Sequence, residues 1–284
     1  PRQVIAAGMP AASITDDTEQ AVMLGELLVA GDGVVDPVHF AQALIQWEKR
    51  MQAKGSLDLL GPSTKRAVER LLDGVPLQET GKFGSTNGAA MRITPAGIAQ
   101  RPDPQHDFID AVVRASQVTH NTSLGIAAAA AVAMAVSVGV AGGTVADALD
   151  AAVLVSAEAA GRGHWVAGGQ ISVRIRWAVD LLRATRTHDL IDVIDGVIGT
   201  SVAAQESVVA AFAILGVVTD PWEAMSLAAS VGGDTDTMAA LVGAVLGASL
   251  GASSLPAEEI AQVSEVNDLD LVPLACKLME LRNR

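Results

Sequence analysis

Apolar residues recur at intervals of three and four along most of the chain, for example within the segments 22–28 and 40–47. This spacing is the period of an amphipathic α-helix. No convincing series of alternating apolar and polar residues, which would indicate β-strands, interrupts it. The pattern predicts an all-α protein of about ten helices.

Glycine and proline divide the helical pattern into segments. The breaks fall at 31–33, 61–62, 81–88, 95–104, 142–143, 161–169, 220–221 and 251–256. None of them has the composition of a flexible linker, and no repeat of fixed period is visible. We therefore expect residues 1–284 to form a single compact multi-helix domain.

Three segments are apolar on nearly every face, at 126–140, 208–218 and 238–250, so we expect them at the centre of the bundle. The charge-free run 121–146 is long enough to span a bilayer. It is dominated by alanine, however, and interrupted by Ser137 and four glycines. The composition favours a buried helix, and no membrane contact is expected.

Composition narrows the function. Of 284 residues, 50% are hydrophobic but only 3% are aromatic, with no tyrosine, so small aliphatic side chains must fill the core. A net charge of −13 disfavours a nucleic acid or an anionic membrane as partner. Because Cys276 is the single cysteine, an internal disulfide and a cysteine-based zinc site are excluded. This cysteine content fits a cytoplasmic location. We expect Cys276 to be a small buried residue. The first twelve residues lack the features of a secretory signal.

Two acidic clusters stand far apart in the sequence, Thr-Asp-Asp-Thr at 15–18 and Gly-Asp-Thr-Asp-Thr at 233–237. Each precedes an apolar helical segment, so each alone is explained by N-capping and by acidic residues in a first helical turn. Together they offer several hard oxygen ligands. Such ligands suit Mg²⁺, Mn²⁺ or Ca²⁺ rather than zinc.

Three common motifs fail at these and neighbouring positions. An EF-hand loop from Asp234 would need Gly and Glu where Ala239 and Val245 stand. A phosphate-binding P-loop near 81–82 lacks its hydroxyl residue, because Phe83 occupies that position. The Gly-Arg-Gly at 161–163 is not continued as a dinucleotide fingerprint.

The two clusters are linked in sequence by Asn-Gly-Ala-Ala-Met-Arg at 87–92 and Ser-Gln-Val-Thr-His at 116–120. In order and approximate spacing these four motifs resemble those of the ADP-ribosylglycohydrolase family. The resemblance implies an all-α fold with two Mg²⁺ or Mn²⁺ ions at the bottom of a cleft. It also implies hydrolysis of the N- or O-glycosidic bond at the anomeric carbon of a ribose, in an ADP-ribosylated protein or a small ADP-ribosyl or ribosyl compound.

Family roles carry over to matching positions of this chain. The resemblance implies metal ligation by Thr15, Asp16 and Asp17 on one side and by Asp234, Asp236 and Thr237 on the other. Asp16 and Asp17 are the candidates for acid–base catalysis, since nearby carboxylates can stabilise an oxocarbenium-like ribose. The sequence does not divide the two roles between them.

The loop between the clusters is the implied ligand loop, with backbone N–H groups that would approach the distal ribose and the diphosphate. Its implied ligand-binding residues are Phe83, Gly84, Ser85, Thr86, Asn87 and Gly88, together with His120. Phe83 is expected to pack against a ligand ring or in the core. Met91 and Arg92 are expected to be structural.

One family feature has no match. Members usually carry, upstream, a Gly-Asp-Ala-Leu-Gly-like segment and a Glu that reaches the metals, and nothing before Thr15 resembles it. A non-catalytic ADP-ribose-binding or structural protein therefore stands as an alternative. An all-α isoprenoid-diphosphate enzyme is a further one, although Gln20 stands where its motif needs an acid. A phosphotransferase of the Asp-x-Asp-x-Thr type is weakened by Met238 at its final position.

Overall fold

The computed structural model describes residues 10–53 and 61–284. The protein is 73% helical, with sixteen α-helices and no strand within those residues. The only bridges found in this part of the chain are isolated ones, Thr86 with Ala203 and Thr122 with His164. The all-α prediction is confirmed. Most of the segment before Thr15, in which the upstream family motif has no match, lies outside the described residues.

The first eight helices are α1 Asp16–Ala30, α2 Pro37–Ala53, α3 Pro62–Leu72, α4 Leu77–Thr80, α5 Gly88–Arg92, α6 Thr94–Ala99, α7 Gln105–His120 and α8 Ser123–Val140. The others are α9 Val145–Ala159, α10 Ile171–Arg183, α11 Leu190–Val193, α12 Ala204–Leu215, α13 Pro221–Ser230, α14 Thr235–Leu250, α15 Ala257–Asn267 and α16 Val272–Arg282. A π-helical segment, Ile194–Ile198, follows α11. Four of the helices, α4, α5, α6 and α11, have only four to six residues, too few to show a period in the sequence.

Helix α8 lies at the centre and packs against α5, α6, α7, α9 and α14. It is the one helix in the described part of the chain that is long and apolar enough to cross a membrane, and 83% of it is buried inside the protein. Its run of alanines lets the surrounding helices approach closely. The prediction of a buried helix is confirmed, and α12 is likewise buried along almost its whole length.

The predicted break at 95–104 begins too early, because Pro95 lies in the first turn of α6. The break predicted at 61–62 coincides with the start of α3, whose N-cap is Gly61 and whose first residue is Pro62. Proline is accepted at these positions because the N–H group that it lacks would have no partner within the helix. The break after α6 therefore begins only at Gln100.

The prediction of a buried Cys276 is wrong, because the side chain is exposed. Helix α16 contacts α1 and α6 through one side only. Its buried residues are Leu278 and Arg282, and Cys276 lies on the opposite, solvent-facing side.

Candidate active site

The two acidic clusters lie at the N-termini of two helices, α1 and α14. Thr15 is the N-cap of α1 and Asp234 the N-cap of α14, yet neither side chain makes a capping hydrogen bond. Thr15 Oγ1 instead donates to Asp17 Oδ2 over 3.1 Å. Helix capping, the simple explanation of both clusters, therefore does not account for these side chains.

The chain turns sharply into the second cluster. Gly232 and Gly233 have φ values of 96° and 72°, a conformation that glycine adopts without strain. A Cβ atom on Gly233 would lie 2.3 Å from the Thr200 carbonyl oxygen. The Asp234 N–H group donates to that same carbonyl over 2.8 Å, so the turn is fixed against the 199–203 loop.

The clusters meet in one cavity of about 210 Å³. The residues that line it are Asp16, Asp17, Gly61, Pro62, Thr64, Thr86, Asn87, Gly88, Met91, Val202, Asp234, Asp236 and Thr237. Five of the six predicted metal ligands are on this wall. The sixth, Thr15, contacts the site through Asp17.

The carboxylates crowd one another in this cavity. Burial raises the pKa of Asp16 from 3.8 to about 8, and the charges of Asp17, Asp236 and Asp234 add to the effect. The pKa of Asp17 rises to about 7, mainly through burial and the charge of Asp236. Burial raises the pKa of Asp234 to about 6, although the hydrogen bond from Asn87 opposes the shift. A cation bound in the cavity would oppose these shifts, because it favours the charged form of every carboxylate.

Three buried oxygen atoms at the site have no hydrogen-bond partner: Asp17 Oδ1, Asp236 Oδ1 and Thr235 Oγ1. Buried polar atoms are normally paired, and oxygen donors of this kind are the ligands that Mg²⁺ and Mn²⁺ prefer. The residues therefore fit a divalent cation by type. Within residues 10–53 and 61–284, however, no three carboxylate, imidazole or thiol side chains already surround a common point. The donors are collected in one cavity but do not form a closed coordination shell.

The Asn87 loop connects the two halves of the site. Asn87 Nδ2 donates to Asp234 Oδ2 and, over 2.9 Å, to Ser207 Oγ on α12. Its backbone N–H group donates to the Val202 carbonyl over 2.9 Å. The side chain of Asn87 thus orients one of the proposed metal-binding carboxylates.

The predicted ligand-loop residues separate into two groups. Thr86, Asn87 and Gly88 line the cavity. The Gly84 carbonyl accepts a hydrogen bond from Thr122 Oγ1 over 2.5 Å, and the Ser85 carbonyl accepts one from the Ala204 N–H group over 3.1 Å. These two residues hold the loop against α8 and α12 and do not line the cavity.

Phe83 is also outside the cavity wall, and 49% of its surface is exposed. Its ring is surrounded by Arg66, Arg70 and Lys82. Phe83 is therefore not a core residue, and any contact with a ligand would be made outside the cavity.

His120 lies behind the loop and is completely buried. Its Nε2 is hydrogen-bonded to Thr86 Oγ1 at 2.8 Å and its Nδ1 to Thr119 Oγ1 at 2.7 Å. Burial, aided by the charge of Arg92, holds the pKa of His120 well below its usual value, so the ring is neutral. It positions Thr86, which lines the cavity, rather than facing the cavity itself.

Arg92 is fully buried and structural, as expected. It donates to the Gly88 carbonyl and to Thr119 Oγ1, each over 2.6 Å, and to Gln20 Oε1 over 3.4 Å. Its guanidinium lies 4.9 Å from the centre of the Phe40 ring. Burial lowers the pKa of Arg92 to about 9. The hydrogen bonds of Arg92 thus connect the ligand loop to α7 and α1.

Sequence reasoning missed three polar residues that serve the site: Gln20, Thr64 and Ser207. Gln20 Nε2 donates to Asp16 Oδ2 over 3.2 Å from four residues away, on the same face of α1. Ser207 is a lone buried polar residue in the apolar part of α12, and Thr64 lines the cavity from the first turn of α3. A polar residue on an otherwise buried helix face was the sequence signal that could have identified them.

Comparison with known proteins agrees with the motifs. The family described as ADP-ribosylglycohydrolase matches residues 1–284. An uncharacterized Escherichia coli K12 protein, YegU, is 31% identical over 275 residues, 96% of this chain and 82% of that protein. The ADP-ribosyl-[dinitrogen reductase] glycohydrolase of Rhodospirillum rubrum is 31% identical over 116 residues, 40% of this chain and 37% of that protein.

A solved structure described as an ADP-ribosylglycohydrolase-related protein complex has the same fold. It superposes with a TM-score of 0.63 at 23% identity, over 95% of this chain and 81% of that one. The resemblance that four motifs predicted is therefore confirmed over the whole sequence. This chain belongs to the ADP-ribosylglycohydrolase family.

Proposed function

We propose that this protein hydrolyses the glycosidic bond between an ADP-ribosyl, or related ribosyl, group and its acceptor, using two Mg²⁺ or Mn²⁺ ions. Family membership supports a glycosyl hydrolase. One observation carries the metal-dependent part. Acidic residues from opposite ends of the chain meet in one cavity, where two of their carboxylate oxygens are buried without partners.

The proposed ligands of the ions are Thr15, Asp16, Asp17, Asp234, Asp236 and Thr237. Divalent ions held there would neutralise the crowded carboxylates and lower the pKa of water at the site. Asn87 keeps Asp234 turned toward the cavity, and Gln20 does the same for Asp16.

Asp16 and Asp17 are the proposed acid–base pair. Their burial works against ionisation, so whichever of the two is less engaged by a cation keeps a pKa closer to neutrality than a surface aspartate. Such a group can hold a proton for the departing acceptor or take one from the attacking water. The ionised partner would stabilise positive charge on the ribose.

The small residues of the ligand loop would position the sugar. Thr86 presents a hydroxyl whose orientation is fixed by the buried His120. At Gly88 a side chain is excluded, because a Cβ atom would lie 2.9 Å from His120 Cε1. The absence of a side chain there lets the backbone approach a ligand closely.

Calorimetric titration with ADP-ribose, with and without Mn²⁺, tests the proposal, followed by hydrolysis assays on ADP-ribosylated arginine, serine and small ribosides. We expect binding that requires the ion and turnover of at least one substrate. Asp236→Asn should abolish both, whereas Asp192→Asn on the exposed face of α11 should change neither.

Absence of ADP-ribose binding with Mn²⁺ or Mg²⁺ would refute the proposal. Ion-dependent binding without turnover of any substrate would favour the alternative, a non-catalytic member of the family. The family match favours both over an isoprenoid-diphosphate enzyme or a phosphotransferase.

A further inference from the structure

A second cavity adjoins the one that holds the acidic clusters, which we call the acidic cavity. It has a volume of about 340 Å³ and lies among α1, α6, α14 and α16. Two residues, Asp17 and Met91, line both cavities. The two cavities are therefore neighbours, and Asp17 lies where they meet. We call the second one the apolar cavity.

The apolar cavity differs from the acidic cavity in the chemistry of its wall. The wall is made chiefly of aliphatic side chains, among them Val22, Ile98, Ala244 and Leu274. Within the described parts of the chain, Asp17 is the one charged residue on it. A mostly apolar wall with a few placed polar groups is typical of small-molecule sites of this size.

The apolar cavity is a product of how its helices pack. Helix α16 approaches α1 closely at Gly25, where a Cβ atom would lie 3.0 Å from Leu274 Cδ2. On the side of α14, Ala240 and Ala244 present only methyl groups, four residues apart on one helix face. Helix α16 is thus held in place while the alanines leave space beside it. An apolar cavity of about 150 Å³ accommodates benzene, so this one has room for one or two aromatic rings.

Asp17 relates the apolar cavity to the proposed reaction. Its side chain is buried, with 4% of the residue exposed, and its Oδ1 atom has no hydrogen-bond partner. As a member of the proposed acid–base pair, Asp17 has to lie beside the glycosidic bond, between the ribose and its acceptor. With the ribose in the acidic cavity, the acceptor would extend past Asp17 into the apolar cavity.

The wall of the apolar cavity disfavours a charged acceptor. A guanidinium group carries five N–H donors, and burying them without partners costs free energy. Asp17 is the only acid that the described chain brings to this wall, and the metal ions would engage it as well. An uncharged ring or a branched alkyl group would instead gain free energy by leaving water.

We propose that the apolar cavity binds the acceptor of the substrate, and that this acceptor is an uncharged phenol of one or two aromatic rings. The inference rests on the proposed function, since the ribosyl group would occupy the acidic cavity. Hydrolysis would place the hydroxyl group of water on the anomeric carbon and the remaining proton on the phenol oxygen that leaves. The apolar cavity would thereby determine the acceptor specificity.

The first test measures binding to the apolar cavity alone. 2-Naphthol is titrated by its fluorescence, in EDTA, into wild type, Ala275→Phe and Cys276→Phe. Both residues are exposed on α16, but of the two only Ala275 lines the apolar cavity. We expect Ala275→Phe to bind 2-naphthol roughly tenfold or more weakly, because the added ring competes for the same apolar surface. Cys276→Phe should stay within about twofold of wild type.

The second test compares two leaving groups of nearly equal acidity, phenol and 4-tert-butylphenol. Their ADP-ribosides, in both anomeric configurations, are hydrolysed in Mn²⁺. In wild type the four further carbon atoms should raise kcat/KM by roughly tenfold or more, chiefly through a lower KM. Ala275→Phe should reduce this advantage to about threefold or less, whereas Cys276→Phe should keep it.

Ala244→Phe is a second variant, which fills the apolar cavity from the opposite helix, α14. It should reduce the advantage of the tert-butyl compound in the same way as Ala275→Phe. Circular dichroism checks the folding of each variant. If Ala244→Phe does not fold, the exposed substitution at Ala275 still decides the result.

A third comparison identifies the source of the phenol. An ADP-ribosylated tyrosine within a peptide is assayed beside the 4-tert-butylphenyl compound. Higher kcat/KM for the peptide would indicate a protein acceptor, and higher kcat/KM for the tert-butyl compound would indicate a small molecule.

Three results overturn the inference. The first is that wild type fails to bind 2-naphthol, as it would if another part of the protein or a second copy closed the cavity. The others are equal kcat/KM for the two phenyl compounds, and a preference for ADP-ribosylated arginine over both. The proposed function fails separately, if ADP-ribose does not bind with Mn²⁺ while 2-naphthol still binds in EDTA.

Discussion

Two buried polar regions lie side by side in this protein and differ in how completely their atoms are paired. Around Arg92 and His120 most polar side-chain atoms have a partner within the chain, at distances between 2.6 and 3.4 Å, and Arg92 Nε is the exception. In the acidic cavity, Asp17 and Asp236 each leave a carboxylate oxygen without one. Gln20 connects the two regions, since it accepts from Arg92 and donates to Asp16.

The difference separates structure from function. A neutral or cationic network in which most atoms are paired within the chain fixes the positions of α1, α7 and the ligand loop. A set of crowded, unpaired oxygens is costly to bury, and it persists in a fold when a ligand repays the cost. Substitutions should therefore affect stability in the first region and binding or activity in the second.

The largest effect is expected from Asp17→Asn. It keeps the shape of the side chain and removes the charge, so turnover should fall by roughly a thousandfold or more. Relief of repulsion from Asp236 should leave the thermal midpoint of metal-free protein unchanged or higher. Steady-state kinetics and thermal unfolding check both. Retained turnover would remove Asp17 from the mechanism, and a large loss of stability would mean that the two regions do not differ as described.

Arg92→Ala should show the opposite behaviour. Loss of three hydrogen bonds and of the packing over Phe40 is expected to cost about 3–4 kcal/mol of unfolding free energy. Urea unfolding measures it, with Arg176→Ala as an exposed control that should change stability by about 0.5 kcal/mol or less. Mn²⁺ affinity of the folded fraction should change far less than in Asp17→Asn. Wild-type stability in Arg92→Ala would contradict a structural role.

The next largest effect is expected in the pH dependence of stability, which the acidic cavity should govern. In EDTA the native Asp16 binds its proton more tightly than the unfolded chain does, because its pKa is raised from 3.8 to about 8. Stability is therefore favoured below pH 3.8 by this group and falls as the pH rises toward about 8. Between pH 5 and 8 the thermal midpoint of the wild type should therefore fall. We expect this fall to be smaller by roughly 5 °C in Asp16→Asn.

The control for this profile is Asp192→Asn, which should keep the wild-type slope. Saturating Mn²⁺ should also flatten the wild-type profile, because the cation favours the ionised carboxyl. An equal slope in Asp16→Asn and wild type would show that Asp16 is not the titrating group.

The smallest effect on stability is expected at Gly84, where the ligand loop packs against Thr119. A Cβ atom on Gly84 would lie 2.0 Å from the Thr119 carbonyl oxygen, so Gly84→Ala should displace the loop and cost about 1–2 kcal/mol. Gly247→Ala on α14 is the matched control, since nothing lies within 4 Å of its Cβ position, and it should be neutral or stabilising. Denaturant unfolding compares them. Equal stabilities would mean that the loop is not held as tightly as its contacts indicate.

The helical fold was readable from periodicity because most helices are long and bury one face or all faces. The short helices α4, α5, α6 and α11 were not, since one turn leaves no period to detect. Pro95 was misread as part of a break because proline also occurs in the first turn of helices. Cys276 was misplaced because residue type does not say which side of an outer helix faces solvent.

The acidic clusters and the Asn87 loop were readable because each is a contiguous motif. Their meeting in one cavity was an implication of the family resemblance and not of spacing. The hydrogen bond between Asn87 and Ser207 joins residues 120 positions apart, and no local sequence pattern predicts it. For the same reason Phe83, named as a ligand or core residue, was not foreseen as the centre of three cations contributed by two segments.

The central claim is that the two acidic clusters form one divalent-cation site. It is tested most directly by Mn²⁺ titration of wild type, Asp17→Asn, Asp236→Asn and the double variant, with folding checked by circular dichroism. If both residues serve one site, each single substitution should weaken Mn²⁺ binding strongly, and the double variant should be little worse than either. Independent, additive losses, or absence of Mn²⁺ binding by wild type, would contradict the claim.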